Sequence, residues 1–329
     1  MKLVLCGPQR VRCGVCVTTL GWLHGFRQLS DVELRWLTHR VLEGKNNRIV
    51  AEDPLAAGIE RHERYDRPDL LAPGFLTHCP TFSERHFSTD GCGNGDVFFL
   101  EQSASVIDPT VANLMLRWCR GRGMRTVVRL HSQLLQGLDP ALVDLFVAPF
   151  PHAEAAALPD SEVGGLEGRW LEVPHPVVSV TSGFPDFTVD GEVGVLGNEE
   201  RGPLRHVDGV VRSVGGRPAR IRPGWQPLEP HVFDLRGFQT LLLYYAPTPG
   251  VGRSSALSTA LGAGRPIVCS EAGFLSDAEH WGGVADLDDL PRAIRAALDR
   301  GGVPDERQAA WAAECGAERL ARGILERVV

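Results

Sequence analysis

The sequence predicts an α/β protein built from two Rossmann-like domains. Three observations support this prediction. The chain opens with an apolar strand, a glycine-bearing loop and a helix, which is how doubly wound domains commonly begin. A strand, a glycine-bearing loop, a short helix and a second strand recur over residues 241–272. With 329 residues, the chain is also long enough for two domains of ordinary size.

The first elements of the chain are predicted from the spacing of its apolar residues. Lys2–Cys6 is a short apolar strand, and the loop Gly7–Gly14 separates it from a helix over Val15–Phe26. Ser30–Val41 is also predicted to be a helix. Acidic residues stand in its first turn, and its apolar residues recur at helical spacing.

A pair of parallel strands is predicted in the middle of the chain. Asp96–Glu101 and Thr126–His131 are apolar strands, and the helix Val111–Arg122 connects them. Two parallel strands joined by one helix make a right-handed crossover. Two further strands, Asp144–Ala148 and Trp170–Val173, extend the N-terminal domain to about residue 176.

The domain boundary is predicted near residues 176–190. Pro174 and Pro176 stiffen the chain, and a polar, glycine-bearing connection follows them. The N-terminal domain accordingly covers residues 1–176, and the C-terminal domain covers 177–329. The strands and helices predicted in the C-terminal domain are Glu192–Leu196, Pro218–Arg222, Leu241–Tyr245, Pro266–Cys269, Leu290–Leu298 and Glu306–Val329.

An anion-binding site is predicted between the strand Leu241–Tyr245 and the helix that follows it. Prolines and glycines break the strand, and either of two serines is a natural N-cap for the helix. Backbone N–H groups and the positive end of the helix dipole meet at such a loop, and an arginine adds a forked donor. The residues concerned are Gly250, Gly252, Arg253, Ser254 and Ser255. An ordinary βαβ connection is the alternative interpretation.

Composition and charge argue against several classes of protein. A hydrophobic content of 43% with 23% charged residues is typical of a globular protein. The net charge of −7 indicates neither nucleic acid nor an anionic membrane as a partner. Gly7-Pro8 interrupts the apolar start too soon for a signal peptide, and no apolar run approaches the roughly 20 residues of a membrane span. We therefore expect a cytoplasmic protein.

The eight cysteines are scattered along the chain, as in reduced cytosolic proteins. Cys13 and Cys16 form the only close pair, with a Cys-x-x-Cys spacing. A structural zinc site at this pair is the minor alternative, because no second pair completes the set of ligands. We therefore expect no bound metal.

The run Ala260–Gly273, ALGAGRPIVCSEAG, resembles the donor-site segment of GT-B glycosyltransferases, especially the large retaining family 4. In that family, two glutamates separated by seven residues precede the pattern Ala-Met-Ala-x-Gly-x-Pro-Val. Here Val251 and Thr259 stand at the positions of the two glutamates, so both carboxylates are missing. The resemblance implies two domains that face a cleft, with Thr259 on the nucleotide-sugar side.

The N-terminal half carries a second part of the resemblance. The pattern DVxxLEQ, a helix that ends in RGRG, and VVRLHS are similar to the end of the N-terminal domain in family 4. There the last strand ends in a histidine at the cleft, which implies a catalytic role for His131. The glycine-bearing first loop also faces the cleft, which implies that Gly14 is a site residue. The alternatives are a histidine that only caps its loop and a glycine that any such first loop needs.

Two further segments are interpreted through the same resemblance. In family 4, the loop after the first C-terminal strand carries an arginine, often with a lysine, that holds the donor's diphosphate. Arg201 is the nearest match, and no lysine is present. A diphosphate leaving group needs fixed cationic donors in any case, although Arg201 could equally be a solvated surface arginine. The last helix, Arg307–Val328, could return to the N-terminal domain as it does in GT-B folds.

The function that the resemblance implies is transfer of a sugar from a nucleotide-sugar donor to an unidentified acceptor. The C-terminal domain would hold the donor, stereochemistry would be retained, and neither a metal nor a cofactor beyond the donor would be needed. The missing glutamates favour an alternative, a non-catalytic GT-B-like binding or scaffold protein. A third interpretation is a nucleotide-sugar epimerase, which shares the fold but would want carboxylates in the cleft.

Overall fold

The computed structural model describes residues 1–10, 14–39, 51–65, 91–102, 106–179, 189–197, 204–221, 228–245 and 253–329. The chain divides into two compact units. The first consists of Met1–Pro174 together with Ala317–Val329, and the second of His175–Gly316. From the sequence, the domain boundary was expected after residue 176. Whether the last helix packs on the N-terminal domain was left open.

The first unit is built around a seven-stranded sheet in which every pairing is parallel. Its strands are β1 (Lys2–Cys6), β2 (Glu33–His39), β3 (Glu60–Tyr65), β4 (Val97–Gln102), β5 (Arg125–Leu130), β6 (Leu145–Ala148) and β7 (Trp170–Glu172). The spatial order is β3-β2-β1-β4-β5-β6-β7, so the strand order reverses between β1 and β4. Ligands of doubly wound sheets bind beyond the carboxyl ends of the strands at such a reversal.

The helices of the first unit cover the faces of this sheet. They are α1 (Gly14–Arg27), α2 (Pro109–Gly121), α3 (His152–Ala156) and, from the end of the chain, α9 (Ala317–Val328). All six residues of β4 are buried, as expected for a parallel strand covered on both faces. Trp22 and Phe26 of α1 pack against Phe99 of β4, with ring centroids 5.7 and 5.5 Å from that of Phe99.

Helix α9 packs against α1 at a glycine. An ideal Cβ on Gly25 would lie 2.3 Å from the carbonyl oxygen of Ala317, the first residue of α9. Ala321 and Ile324 of α9 are fully buried. The close approach of the two helices therefore depends on the missing side chain of Gly25.

The predicted helix over Ser30–Val41 is wrong, because Glu33–His39 forms strand β2. It pairs with β1 in a register that sets Trp36 beside Leu5. The last four residues of β2 are all buried, whereas an amphipathic helix would leave a polar face in water. Pairing with β2 satisfies the backbone N–H and C=O groups along one side of β1. This requirement outweighs the helical spacing of the leucines in this segment.

The second unit contains a five-stranded parallel sheet. Its strands are β8 (Val189–Gly197), β9 (Arg217–Arg220), β10 (Phe238–Tyr244), β11 (Ile267–Ser270) and β12 (Val284–Ala285). They stand in the order β12-β11-β10-β8-β9, which reverses between β8 and β10. This is the second common order of doubly wound sheets.

The first three helices of the second unit alternate with its strands, and the last two follow β12. They are α4 (Leu204–Ser213), α5 (Leu228–Leu235), α6 (Ser255–Gly262), α7 (Leu290–Asp299) and α8 (Glu306–Glu314). The helix expected over Glu306–Val329 is thus interrupted after α8. Val177 N–H donates to the Cys315 carbonyl (2.8 Å), which joins the first and last segments of this unit.

Within the part of the chain that the structure describes, no helix combines the length and the apolar character that crossing a membrane would require.

Candidate functional site

A histidine and a buried glutamate form a pair at the carboxyl edge of the first sheet. Glu101 is the penultimate residue of β4, and His131 directly follows β5. The His131 Nε2–H donates to Glu101 Oε2 at 2.5 Å. The side chain of Glu101 is 0% exposed and that of His131 is 19% exposed, so the pair joins an interior carboxylate to an accessible imidazole.

The strand register explains why these two side chains meet. Glu101 pairs with Arg129, and successive side chains of a strand alternate between faces, so His131 projects from the same face as Glu101. Arg129 is itself fully buried and donates to the Val173 carbonyl at 2.6 Å. Its guanidinium also lies over the ring of Trp22, 5.4 Å from the centroid. This face therefore carries one buried positive and one buried negative charge.

A second polar group lies at the same edge of the sheet. Gln9, in the loop after β1, is buried, and its amide Nε2 donates to the His39 carbonyl (2.8 Å) and to Glu63 Oε1 (2.9 Å). His39, the last residue of β2, is also buried. Polar groups from β1, β2, β4 and β5 thus gather where a doubly wound sheet binds its ligand.

Gln102, the last residue of β4, has an unsatisfied side chain. It is 2% exposed, and neither its amide oxygen nor its amide nitrogen has a hydrogen-bond partner. A buried amide without partners costs about 1–3 kcal/mol. A ligand that bonded this amide would remove the cost.

We predict that Gln102→Met raises the free energy of unfolding by about 1 kcal/mol, because a side chain of similar volume replaces an unsatisfied amide. Turnover should fall if the amide binds substrate. Denaturation in urea measures the first effect and a donor-consumption assay the second.

The matched control is Gln308→Met. Gln308 is equally buried, but its amide donates to the Arg265 carbonyl (2.6 Å) and accepts from Ile267 N–H (3.1 Å). Its loss should destabilise the protein. Equal destabilisation by both substitutions would contradict the account of Gln102.

The second unit presents the N-terminus of α6 close to the reversal point of its sheet. Ser254 is the N-cap, as predicted for one of the two serines, and its hydroxyl accepts from Leu257 N–H at 3.4 Å. Ser255 is the first residue of the helix. Thr259 is buried in the helix, and its hydroxyl donates to the Ser255 carbonyl at 2.8 Å. The hydroxyl that stands at the second glutamate position is therefore bonded within α6.

Arg253 forms an ion pair beside this helix terminus. Its Nε–H donates to Asp277 Oδ1 at 2.8 Å, and the two side chains are 11% and 16% exposed. His175, at the start of the unit, donates from Nε2 to the Arg253 carbonyl at 3.0 Å. Both the side chain and the backbone of Arg253 are thus held in place.

Strands β10 and β11 are tied together where they end. The Ser270 hydroxyl accepts from Tyr245 N–H and donates to the Tyr245 carbonyl, each at 2.8 Å. Burial, with a smaller contribution from the Asp277 carboxylate, raises the pKa of the Cys269 thiol well above its usual range. Cys269 is therefore a neutral thiol and not a nucleophile at neutral pH.

The sequence-predicted site residues fall into three sets. The structure gathers Arg253, Ser254, Ser255 and Thr259 in and before α6, whereas His131 and Gly14, the first residue of α1, belong to the first unit. Arg201, Gly250 and Gly252 lie outside the described residues.

Sequence reasoning missed four polar residues of these sites. They are Gln9, Glu101, Gln102 and Asp277. A polar pair at the end of the otherwise apolar run VFFLEQ was a usable signal for Glu101 and Gln102. Nothing in the local sequence indicates that Asp277 meets Arg253.

The described residues contain no group of three or more His, Cys, Asp or Glu side chains that could hold a metal ion. Cys16 is buried in α1, and Cys13 lies outside the described residues.

No protein-family model and no curated protein matches the sequence. Solved structures do match its fold. The lipopolysaccharide outer core galactosyltransferase WaaB, in its apo form, is 14% identical, with a TM-score of 0.55 and 98% of each chain covered. Anabaena HepE in complex with UDP and glucose is 10% identical, with a TM-score of 0.54 and 99% of each chain covered.

A third match is a Listeria monocytogenes protein described as a candidate UDP-N-acetylglucosamine 2-epimerase. It is 10% identical with a TM-score of 0.52, and the match covers 98% of this chain and 94% of that one. These likenesses establish the fold. The prediction of two Rossmann-like domains of the GT-B type is confirmed.

Proposed function

We propose that the protein is a glycosyltransferase that moves a sugar from a UDP-sugar donor to an acceptor. The observation that carries the proposal is the match in fold, along nearly the whole chain, to a galactosyltransferase and to a protein solved with UDP and glucose. The polar groups at the carboxyl edges of both sheets support it, because that is where such folds bind their ligands.

The donor's diphosphate binds, in this proposal, at the N-terminus of α6. The helix dipole and its first N–H groups favour an anion there, and Arg253 supplies a forked cation. Gly250, Gly252 and Arg201, which lie outside the described residues, are proposed to bind the diphosphate as well, and Thr259 supports the helix terminus from within α6. The donor is a substrate, and the proposal includes neither a metal nor a further cofactor.

The acceptor side belongs to the first unit. His131 is the catalytic residue of the proposal, and Gly14 contributes the N–H end of α1. Gln9 and Gln102 supply amide groups at the same edge of the sheet. Amides and imidazoles hydrogen-bond hydroxyl groups, which suits a hydroxylated acceptor.

Two other functions compete with this one. An epimerase is favoured by the match to the Listeria protein and by the buried carboxylate of Glu101. A non-catalytic binding protein is favoured by the neutral residues Val251 and Thr259 at the two glutamate positions. All three share the nucleotide sugar as ligand, so the test has to follow both its binding and its fate.

The experiment starts with thermal-shift measurements in UDP-, GDP-, ADP- and dTDP-sugars. A ligand of the native state at 100 times its Kd adds about 2.7 kcal/mol of stability, so specific binding raises the melting temperature. Each stabilising donor is then incubated with the protein and separated by chromatography. We expect a UDP-sugar to stabilise the protein and free UDP to accumulate.

Each competing function has its own outcome in the same experiment. An isomeric nucleotide sugar without free UDP would identify an epimerase. Stabilisation without any chemical change, with simple sugars supplied as acceptors, would identify a binding protein. No stabilisation by any nucleotide sugar would overturn the proposal.

A further inference from the structure

We propose that His175 is a positioning residue for the donor's diphosphate and acts through the peptide group that joins Arg253 to Ser254. This inference rests on the proposed function, because it concerns the anion that binds at the N-terminus of α6. His175, Arg253 and α6 all belong to the second unit.

His175 is bonded to the backbone directly before α6. The residue is 5% exposed, and its Nε2 lies 3.0 Å from the Arg253 carbonyl oxygen. A carbonyl oxygen only accepts hydrogen bonds, so Nε2 carries the hydrogen of this contact. The bonded residues are 78 positions apart in the chain, so the contact is tertiary and does not belong to the local cap of the helix.

The bonded carbonyl and the N–H of Ser254 belong to one peptide group. A trans peptide group is planar, and its C=O and N–H point in opposite directions. A donor that fixes the Arg253 carbonyl therefore fixes the direction of the Ser254 N–H as well. Hydrogen bonds in series also polarise one another, so donation from His175 makes the Ser254 N–H a stronger donor.

The N–H groups at this end of α6 are the donors that an anion would engage. The Ser254 carbonyl accepts from Leu257 N–H (3.1 Å) and Ser258 N–H (3.3 Å), which begins the bonding of the helix. Among the residues that the structure describes, none accepts a hydrogen bond from the N–H of Ser254, Ser255 or Ala256. These donors and the positive end of the helix dipole favour a bound anion.

The segment that carries His175 is held in place by other contacts as well. Val177 N–H donates to the Cys315 carbonyl at 2.8 Å. An ideal Cβ on Gly262, the last residue of α6, would lie 2.2 Å from the Val178 carbonyl oxygen. The segment therefore packs against the C-terminal end of α6 independently of the imidazole. Replacing the imidazole should leave this packing intact.

The chain contains a matched control for the His175 bond. His152, in the first unit, has its Nε2 3.0 Å from the Val163 carbonyl oxygen. The two histidines thus make the same kind of bond to a backbone carbonyl at the same length. Only the carbonyl that His175 bonds shares a peptide group with the N-cap of α6. A comparison of the two histidines separates positioning of an anion from a contribution to stability.

The test measures, by titration calorimetry, the affinity of the protein for UDP and for uridine, which lacks the phosphates. We expect His175→Leu to weaken UDP binding about tenfold, which corresponds to about 1.4 kcal/mol, and to leave the uridine affinity unchanged. His175→Gln should bind UDP within about threefold of the wild type, because its amide nitrogen donates from close to the position of Nε2. His152→Leu should leave the UDP affinity unchanged, even where it lowers the melting temperature.

A second measurement does not depend on the folding of His175→Leu. NMR spectroscopy of protein with isotope-labelled histidine follows the Nε2–H of His175, and the loss of its signal in His175→Gln assigns it. When the Ser254 N–H donates to a phosphate, the Arg253 carbonyl becomes a stronger acceptor. The Nε2–H proton signal should therefore move downfield on addition of UDP and stay in place on addition of uridine.

Several results would overturn the inference while leaving the proposed function in place. They are wild-type affinity for UDP in His175→Leu, an equal loss of UDP and uridine affinity, UDP binding by His175→Gln as weak as by His175→Leu, and an Nε2–H signal that does not move at saturating UDP. If no nucleotide sugar stabilises the wild-type protein, the proposed function itself fails, and this inference fails with it.

Discussion

Replacing Gly25 with alanine should lower the free energy of unfolding by about 3 kcal/mol, because it overpacks a contact between two helices. The added Cβ would lie 2.3 Å from the oxygen and 2.6 Å from the carbon of the Ala317 carbonyl. These are backbone atoms, which cannot rotate away as a side chain can. Helix α9 would have to move off α1 and expose the buried side chains of Ala321 and Ile324.

The matched control for Gly25→Ala is Gly323→Ala in α9 itself. An ideal Cβ at Gly323 meets nothing within 4 Å, and the residue is exposed. Alanine is preferred to glycine in a helix by about 0.8–1.0 kcal/mol, so this variant should be more stable than the wild type. Urea denaturation measures both. A Gly25→Ala variant as stable as the wild type would contradict the packing of α9 on α1.

Removing the charge of Arg253 should weaken the binding of UDP by about tenfold or more, because a charged hydrogen bond contributes about 1.5–3 kcal/mol. Titration calorimetry with UDP measures the affinity of Arg253→Ala directly. Arg292→Ala is the control, because it removes the same charge from a side chain that is 80% exposed on α7. Unchanged affinity for UDP would remove Arg253 from the site.

The ion pair between Arg253 and Asp277 leads to the opposite expectation for a substitution of the aspartate. Asp277→Asn removes the anion that neutralises Arg253, so it should preserve or raise the affinity for UDP. Both variants should be less stable than the wild type, because each breaks a pair whose side chains are 11% and 16% exposed. Calorimetry is therefore performed well below the melting temperature of each variant. Weaker binding in Asp277→Asn would argue that the pair acts as a unit.

Elements with strong local patterns were predicted well. The apolar runs in β1, β4, β5 and β10 were recognised within a residue or a few residues of their observed bounds. β2 was mistaken for a helix because its apolar spacing fits both structures and its sequence does not reveal that β1 needs a partner on that side.

The candidate site divides along the same line. Ser254 as the N-cap of α6 was predicted, because capping chemistry is encoded within a few neighbouring residues. His131 was singled out through the family resemblance of the two strands around it, but its partner Glu101 was not. Asp277 was also missed, although it engages the arginine on which the predicted site depends.

The sequence by itself therefore determined the α/β class, most strands and the loop-to-helix junction before α6. These depend on periodicity and turn chemistry, which act over a few residues. Only the tertiary structure decided that Glu101 meets His131, 30 residues away, and that Arg253 meets Asp277, 24 residues away. These side-chain contacts depend on strand order and register. Long-range pairing and burial across the whole sheet set both, so no local segment encodes the contacts.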